Sequence, residues 1–217
     1  MKKIAVGCFL WGEWPEDDPS LGREYVRKLK NSAARNTTVP YDWFEFGDYG
    51  MPLTKEFRDY RWNLKKMFMF SEESGLREYD WVLVLDLDIV ITGNLDFLLT
   101  YQSCHLVTCR GAYQWQKPGG SIIGFDPKRE WCENLVLFLR DHKTMVEKET
   151  RGSERKYYHM MSGDMIFGEI RYWQDLFPGK IVSYKVDGYV PEASVVRFHG
   201  KPRPHQVKEF WLEENWR

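Results

Sequence analysis

Short apolar runs alternate with longer amphipathic stretches along this chain. "KIAVGCFLW" (Lys3–Trp11) alternates polar and apolar residues before running apolar into Gly12, which predicts a strand feeding the acidic loop between Pro15 and Pro19. "SLGREYVRKLKNSAARN" then places Tyr25, Val26, Leu29 and Ala33 near helical spacing, with Ser20 as the expected N-cap. "YDWFEFGD" alternates aromatic and acidic positions as a second strand does. In "FRDYRWNLKKMFMFSEESG", Phe57, Trp62, Leu64, Met67, Phe68 and Phe70 recur among cations, which predicts a helix ending at Gly75.

"YDWVLVLDLDIVITGNLDFLL" (Tyr79–Leu99) follows, an apolar run without alternation, as expected of a parallel strand covered on both faces. "CHLVTCRG" and "GGSIIGFDP" read as strands, and "KREWCENLVLFLRDH" as an amphipathic helix with Trp131, Leu135, Phe138 and Leu139 on one side. The charged stretch "KTMVEKETRGSERK" breaks the pattern and reads as a mobile surface loop or an interrupted helix. "MSGDMIFGEIRYW", "KIVSYKV" and "SVVRFHGKPRPHQV" complete the chain with no repeat and no domain boundary, so residues 1–217 read as one domain. Strands alternating with helices predict an α/β sandwich, whose ligands bind beyond the carboxyl ends of the strands.

Composition narrows the classes. Hydrophobic residues make up 43 % of the chain and aromatic residues 16 %, with ten Trp, which excludes a disordered polypeptide. Thirty-one basic residues against 32 acidic ones give a net charge of -1, so no global field favours nucleic acid or an anionic membrane, and any polyanion site is local. No apolar run reaches the roughly 18 to 20 residues of a membrane span, and the first residues turn acidic too early for a secretory signal, so a cytoplasmic location is expected. Cys8, Cys104, Cys109 and Cys132 lack CxxC spacing and read as structural thiols in a reducing compartment.

Two carboxylates, Asp86 and Asp88, stand at the end of the most apolar run. Burying them without a partner costs several kcal/mol each, so a compensating charge is expected opposite them. Residues two apart on a strand face one side, so both can aim at one point. A hard cation such as Mg²⁺ or Mn²⁺, completed by phosphate oxygens, suits such a pair. An isolated DxD elsewhere is commonly a turn cap beside a surface ion pair; the apolar flanks here favour a functional pair.

Near the C-terminus, "VVRFHGKPRPH" sets His199, Gly200 and Lys201 together: an imidazole, a permissive backbone and an ammonium, suited to a metal-bound diphosphate. The bland alternative is a core histidine followed by a basic tail. Asp164 in "SGD" offers a carboxylate to orient or deprotonate an acceptor hydroxyl, or else an N-cap. Gly119 and Gly120 ahead of Ser121 suit either close backbone approach to a ligand or a tight turn.

Read together, "WNLKKMFMF", "YDWVLVLDLDIVITGNLDFLL", "GGSIIGFDP", "SGDMIF" and "FHGKPRP" resemble, in this order, the metal-dependent glycosyltransferases of the GT-A fold, and more narrowly the glycogenin-like and bacterial galactosyltransferase-like group. The resemblance implies a Rossmann-like α/β fold with a mixed, mostly parallel central sheet and helices on both faces. It implies transfer of a sugar from a nucleoside-diphosphate donor, with UDP the expected nucleotide, to a hydroxyl acceptor on a glycan or other molecule. Asp86, Asp88 and His199 are implied as ligands of Mn²⁺ or Mg²⁺, and Lys201 as a phosphate contact that aids departure of the nucleotide. Lys65, Leu87, Gly120, Ser121 and Gly200 join these as donor-side residues, with Lys66 an alternative to Lys65, and Arg58 a more distant one. Asp164 is the implied acceptor-side base. The lysine sits closer to the histidine here than in that group, and no Trp follows the proline.

Two rival readings remain open. "VLVLDLDIVITG" is also similar to the nucleophile strand of haloacid-dehalogenase-type phosphatases, with Asp86 as nucleophile and Asp88 as acid/base. That strand normally opens its chain, whereas here it follows two predicted strands, and "FHGKPRP" has no role in that chemistry. A non-catalytic carbohydrate-binding module could use the Trp and Tyr content, but has no need of two acids at a buried strand end.

Overall fold

The computed structural model describes residues 2–12, 15, 18–163, 166 and 168–217. Its main sheet runs β2 (Asp42–Gly47), β1 (Ile4–Leu10), β3 (Trp81–Leu85), β6 (Ile122–Phe125), β5 (Val107–Thr108), β7 (Arg171–Tyr172). β1 pairs in parallel with β2 and β3, β5 pairs in parallel with β7, and β6 is antiparallel to both its neighbours. Among these strands β6 alone is therefore reversed, and the mostly parallel α/β sheet expected from the sequence is the one observed. A second sheet, β4 (Ile89–Ile91), β9 (Val195–Arg197), β8 (Ile181–Ser183), stands beside it.

The unbroken apolar run of β3 follows from its central position. All five of its residues are buried; Val82 and Val84 join one core and Trp81, Leu83 and Leu85 the other, so neither face has room for a polar side chain. The first core is closed by Phe57, Met67, Phe68 and Phe70, by α4 (Glu130–Asp141) through Cys132, Leu135, Val136 and Leu139, and by Tyr157, Tyr158 and Met161. The second is closed by α1 (Gly22–Arg35) through Tyr25, Val26, Leu29 and Ala33, and by Leu98 and Leu99 of α3 (Asp96–Thr100). Helices thus cover both faces.

Three local expectations are corrected. The helix expected to end at Gly75 is instead a single turn, α2 (Lys55–Arg58), followed by a 3₁₀ run over Trp62–Phe70 and two 3₁₀ turns, Glu72–Ser74 and Leu76–Glu78. The cause is visible in the letters: residues 66 to 70 are consecutively buried, so this stretch has no polar face with which to form an amphipathic helix. Ser20 does not cap α1; Asp18 accepts a hydrogen bond from the Ser20 amide and starts a 3₁₀ turn, Pro19–Leu21, that leads into α1 at Gly22. The charged stretch after α4 takes the second of its two readings: it is an interrupted helix, α5 (Lys143–Thr150) and α6 (Glu154–Met161), broken where Arg151 and Gly152 both have positive φ, 55° and 80°.

Candidate functional site

The strand β3 ends at Leu85 and β4 begins at Ile89, so residues 86 to 88 carry the chain from one sheet to the other. Each side of this step is pinned by backbone. The Asp86 amide donates to the Ser121 carbonyl at 2.8 Å, continuing the ladder with β6, and the Phe198 amide donates to the Asp88 carbonyl at 2.9 Å, starting the ladder with β9. Leu87 is buried with the α1-side core. Its neighbours Asp86 and Asp88 are left to face a cleft of about 580 Å³, lined also by Phe9 to Gly12 at the end of β1 and by Trp62, Asn63, Lys65, Lys66 and Arg203. A crevice at the carboxyl ends of parallel strands is where α/β sheets hold ligands.

Lys66 is the compensating charge that the sequence demanded. Its Nζ donates to Asp86 Oδ1 at 2.5 Å and lies 3.5 Å from Glu154 Oε1, with its own side chain only 7 % exposed. Burial works against the ammonium, but Asp86 and Glu154 outweigh it and hold Lys66 above the ordinary lysine range. Burial likewise pushes Asp86 upward, against the pull of Lys66. Asp88 has less help: burial first, then the negative charge of Asp86, lift it to about 7, while Arg203 and Lys66 draw it down only in part.

Glu154 opens α6, on the element that the charged letters disguised. It is 3 % exposed, and its Oε2 has no hydrogen-bond partner among the described residues. A Cβ on Gly120 would stand 2.2 Å from Glu154 Oε1, so the glycine makes room for this carboxylate. Ser121 supports the site from below: its carbonyl holds the Asp86 amide, and its hydroxyl lies 3.4 Å from an Arg197 guanidinium nitrogen.

The late motif is divided between the cleft and its surroundings. His199, just after β9, shares a hydrogen bond of 2.7 Å between its Nε2 and the Ser183 hydroxyl, and the Tyr113 ring meets it edge-on at 5.1 Å. Burial, then Lys185 and Arg197, hold its pKa below the usual histidine value. No group of three His, Cys, Asp or Glu side chains that could hold a metal gathers among the described residues. Gly200 has a φ of 69°, and Lys201 is exposed; neither lines the cleft, whereas Arg203 does. Lys65 lines it too, and Arg58 instead donates to the Leu53 carbonyl at 3.1 Å. Asp164 lies outside the described residues.

The chain adopts the GT-A glycosyltransferase fold. It superposes on the galactosyltransferase LgtC, solved with donor and acceptor sugar analogues, with a TM-score of 0.60 at 11 % identity, over 92 % of this chain and 88 % of that one. The bifunctional glycosyltransferase WbbM gives 0.66 at 12 % identity over 97 % of this chain and 48 % of its own. The glycosyltransferase GlyE of Streptococcus pneumoniae TIGR4 gives 0.55 at 13 % identity over 94 % and 56 %. This chain thus spans about half the length of the last two. No family model and no curated protein matches it in sequence. The GT-A likeness gives the haloacid-dehalogenase alternative no support, because the strand that leads into Asp86 is the third of a GT-A sheet.

Three cleft residues, Arg203, Trp62 and Asn63, and the buried Glu154 beside Lys66 carry no site signal in the sequence. Glu154 is 88 positions from Lys66 and sits in a run of charges that looked solvated. Arg203 looked like tail. Trp62 and Asn63 were read as part of a helix, whose far side would have been core.

Proposed function

We propose that this chain transfers a sugar from a nucleoside-diphosphate donor, UDP being the nucleotide to try first, to a hydroxyl group of a glycan or related acceptor. The observation that carries this reading is the pair Asp86 and Asp88 facing one cleft at the carboxyl end of β3 of a GT-A sheet, with Lys65, Lys66 and Arg203 around them.

The donor set fits a hard divalent ion. Two carboxylates facing one cleft, with burial and the charge of Asp86 lifting Asp88 to about 7, suit an ion that takes one or two protein oxygens and completes its shell with water and phosphate. Asp86 and Asp88 would hold it, with His199 as the third ligand once its bond to Ser183 is given up. Bound there, Mn²⁺ or Mg²⁺ supplies positive charge to the diphosphate as it departs.

The chain's own groups do the rest. Lys66, fixed by Asp86 and Glu154, is held cationic beside the carboxylates, so its ammonium neither drifts nor loses its proton as charge develops on the leaving group. Lys65 and Arg203 add positive field at the cleft wall. Lys201 reaches phosphate from the exposed segment after Gly200, and Asp164 accepts or orients the proton of the acceptor hydroxyl.

A thermal-shift screen of UDP, GDP, dTDP and CMP, each with and without Mn²⁺, on the wild type and Asp88→Asn tests the proposal. A stabilisation by one nucleotide that requires both the metal and Asp88 is the expected result. No response to any nucleotide, with Mg²⁺-dependent hydrolysis of p-nitrophenyl phosphate, would return the site to the phosphatase alternative.

A further inference from the structure

Trp62 is the most conspicuous side chain on the cleft that the chemistry above does not use. It lines the cleft yet is 62 % exposed, and its φ of 47° is a left-handed conformation that bulky residues rarely adopt. Left-handed backbone at a non-glycine residue is strained and persists where the surroundings over-determine it. They do so here. The Arg61 amide donates to Glu147 of α5 at 3.0 Å, and Gly152 at the α5–α6 break packs so closely that a Cβ on it would stand 2.9 Å from Trp62 Cδ1. The helix interruption is therefore fitted to the indole.

From that position the geometry runs inward. Trp62 opens the 3₁₀ run that carries Lys65 and Lys66, so the ring stands four residues along the chain from the ammonium that pairs with Asp86, and all of these line the same cleft. Asn63, also on the cleft, adds an amide that can both donate and accept. An exposed, amphipathic ring beside a small number of polar groups is the make-up of a site for the apolar face of a pyranose with its hydroxyls at the rim. Trp11 and Gly12, at the carboxyl end of β1, line the same cleft, and the carboxyl end of a parallel strand is where α/β sheets receive a nucleotide.

We infer that Trp62, with Asn63, is the platform on which the acceptor glycan stacks, its reacting hydroxyl directed toward the Asp86 end of the cleft. This rests on the glycosyl-transfer reading. The strain at Trp62 fixes the ring before substrate arrives, so the order imposed on a flexible sugar is not also demanded of the protein.

The test labels the indole nitrogens of the whole chain, assigns the Trp62 resonance by its loss in Trp62→Phe, and titrates separately UDP with Mn²⁺ and the disaccharides lactose, maltose, cellobiose and chitobiose. At least one disaccharide is expected to move the Trp62 resonance, with UDP moving it less. In calorimetry Trp62→Ala should lose that disaccharide's binding while Trp62→Phe retains most of it, and both variants should keep the wild-type thermal shift with UDP and Mn²⁺. A Trp62 resonance that follows UDP instead, or a Trp62→Ala variant that has lost its UDP response, makes the residue a nucleotide contact and overturns the inference. So does a wild type that binds UDP while no disaccharide moves Trp62. A wild type that ignores UDP defeats the proposed function itself, and is told apart by that.

Discussion

Lys66 Nζ and Asp86 Oδ1 meet at 2.5 Å although they are 20 positions apart and the chain between them includes the end of a 3₁₀ run, two 3₁₀ turns and the whole of β3. Lys66 is the buried member: its side chain is 7 % exposed against 28 % for Asp86, which faces the cleft, and Glu154 closes the lysine from α6 at 3.5 Å. A buried cation between two carboxylates adds little net stability, yet each member depends on the others for its charge.

Lys66→Met should therefore be among the more costly single substitutions in the chain. It leaves Asp86 and Glu154 facing each other without a cation, and breaking a buried pair in this way costs about 3 to 5 kcal/mol. Urea denaturation of the metal-free protein checks this. A companion, Lys66→Met with Glu154→Leu, should recover part of the loss, because one of the two stranded charges goes with it; an unchanged midpoint in the single variant would contradict the geometry.

The lifted pKa of Asp88 makes a pH prediction with a definite sign. The carboxyl moves from an ordinary 3.8 to about 7 on folding. Between those values the folded chain keeps a proton that the unfolded chain has released, so this group makes stability fall as pH rises across the window, with its full cost present above about 7. Asp88→Asn removes the effect: its metal-free stability should decline less steeply from pH 4 to 7 and exceed the wild type above neutrality. Metal binding requires the ionised form, so apparent Mn²⁺ affinity of the wild type should climb with pH up to about 7 and then level. Thermal scans in a pH series, with and without Mn²⁺, read both, and the same variant should lack metal-dependent turnover.

How much of this was legible is best seen at particular residues. Asp86 and Asp88 were readable because an apolar strand cannot carry two acids without a reason, and the same run gave β3 its central, doubly covered place. The reversed strand β6 was not readable, since periodicity is blind to direction. Glu154 was not readable either: the break at Arg151 and Gly152 sets α6 against the 3₁₀ run at Lys66, and nothing near Glu154 in sequence distinguishes it from its charged neighbours. The missing Cβ of Gly120 is legible in the letters, but its buried neighbour Glu154 is not. Trp62 was lost because a hydrophobic residue near helical spacing is normally core, whereas a positive φ, invisible in the letters, turns this one outward.

His199 supplies a separate test of the metal assignment. Its Nε2 is held by the Ser183 hydroxyl at 2.7 Å, so a metal that takes this nitrogen must displace a hydrogen bond worth about 1 kcal/mol. Ser183→Ala removes that competitor and should tighten apparent Mn²⁺ binding by a factor of about 5, as 1 kcal/mol implies, whereas His199→Ala should weaken it. Isothermal titration of both variants decides the matter, and equal affinities in all three proteins would remove His199 from the ligand set.

Gly120 and Gly124 allow function to be separated from packing, because each faces a different kind of neighbour on the same strand region. A Cβ on Gly124 would lie 2.6 Å from both the Trp81 and the Trp173 ring, whose indole nitrogens are fixed by the Leu98 and Ile122 carbonyls at 3.0 and 3.3 Å. Neither ring can yield without giving up its bond, so Gly124→Ala should cost about 1 to 3 kcal/mol by overpacking and nothing more specific. On Gly120 the Cβ would meet only Glu154, 2.2 Å from Oε1, and a carboxylate on a flexible stem can swing away. Doing so takes it from Lys66. Gly120→Ala should therefore be the milder of the two in urea, yet the more damaging in turnover, since it loosens the cation beside Asp86 while leaving the sheet intact. Denaturation midpoints and donor-hydrolysis rates, measured on both variants, should rank them in opposite orders; the same ranking in both measurements would mean that Glu154 supports the fold and has no part in holding Lys66 for the reaction.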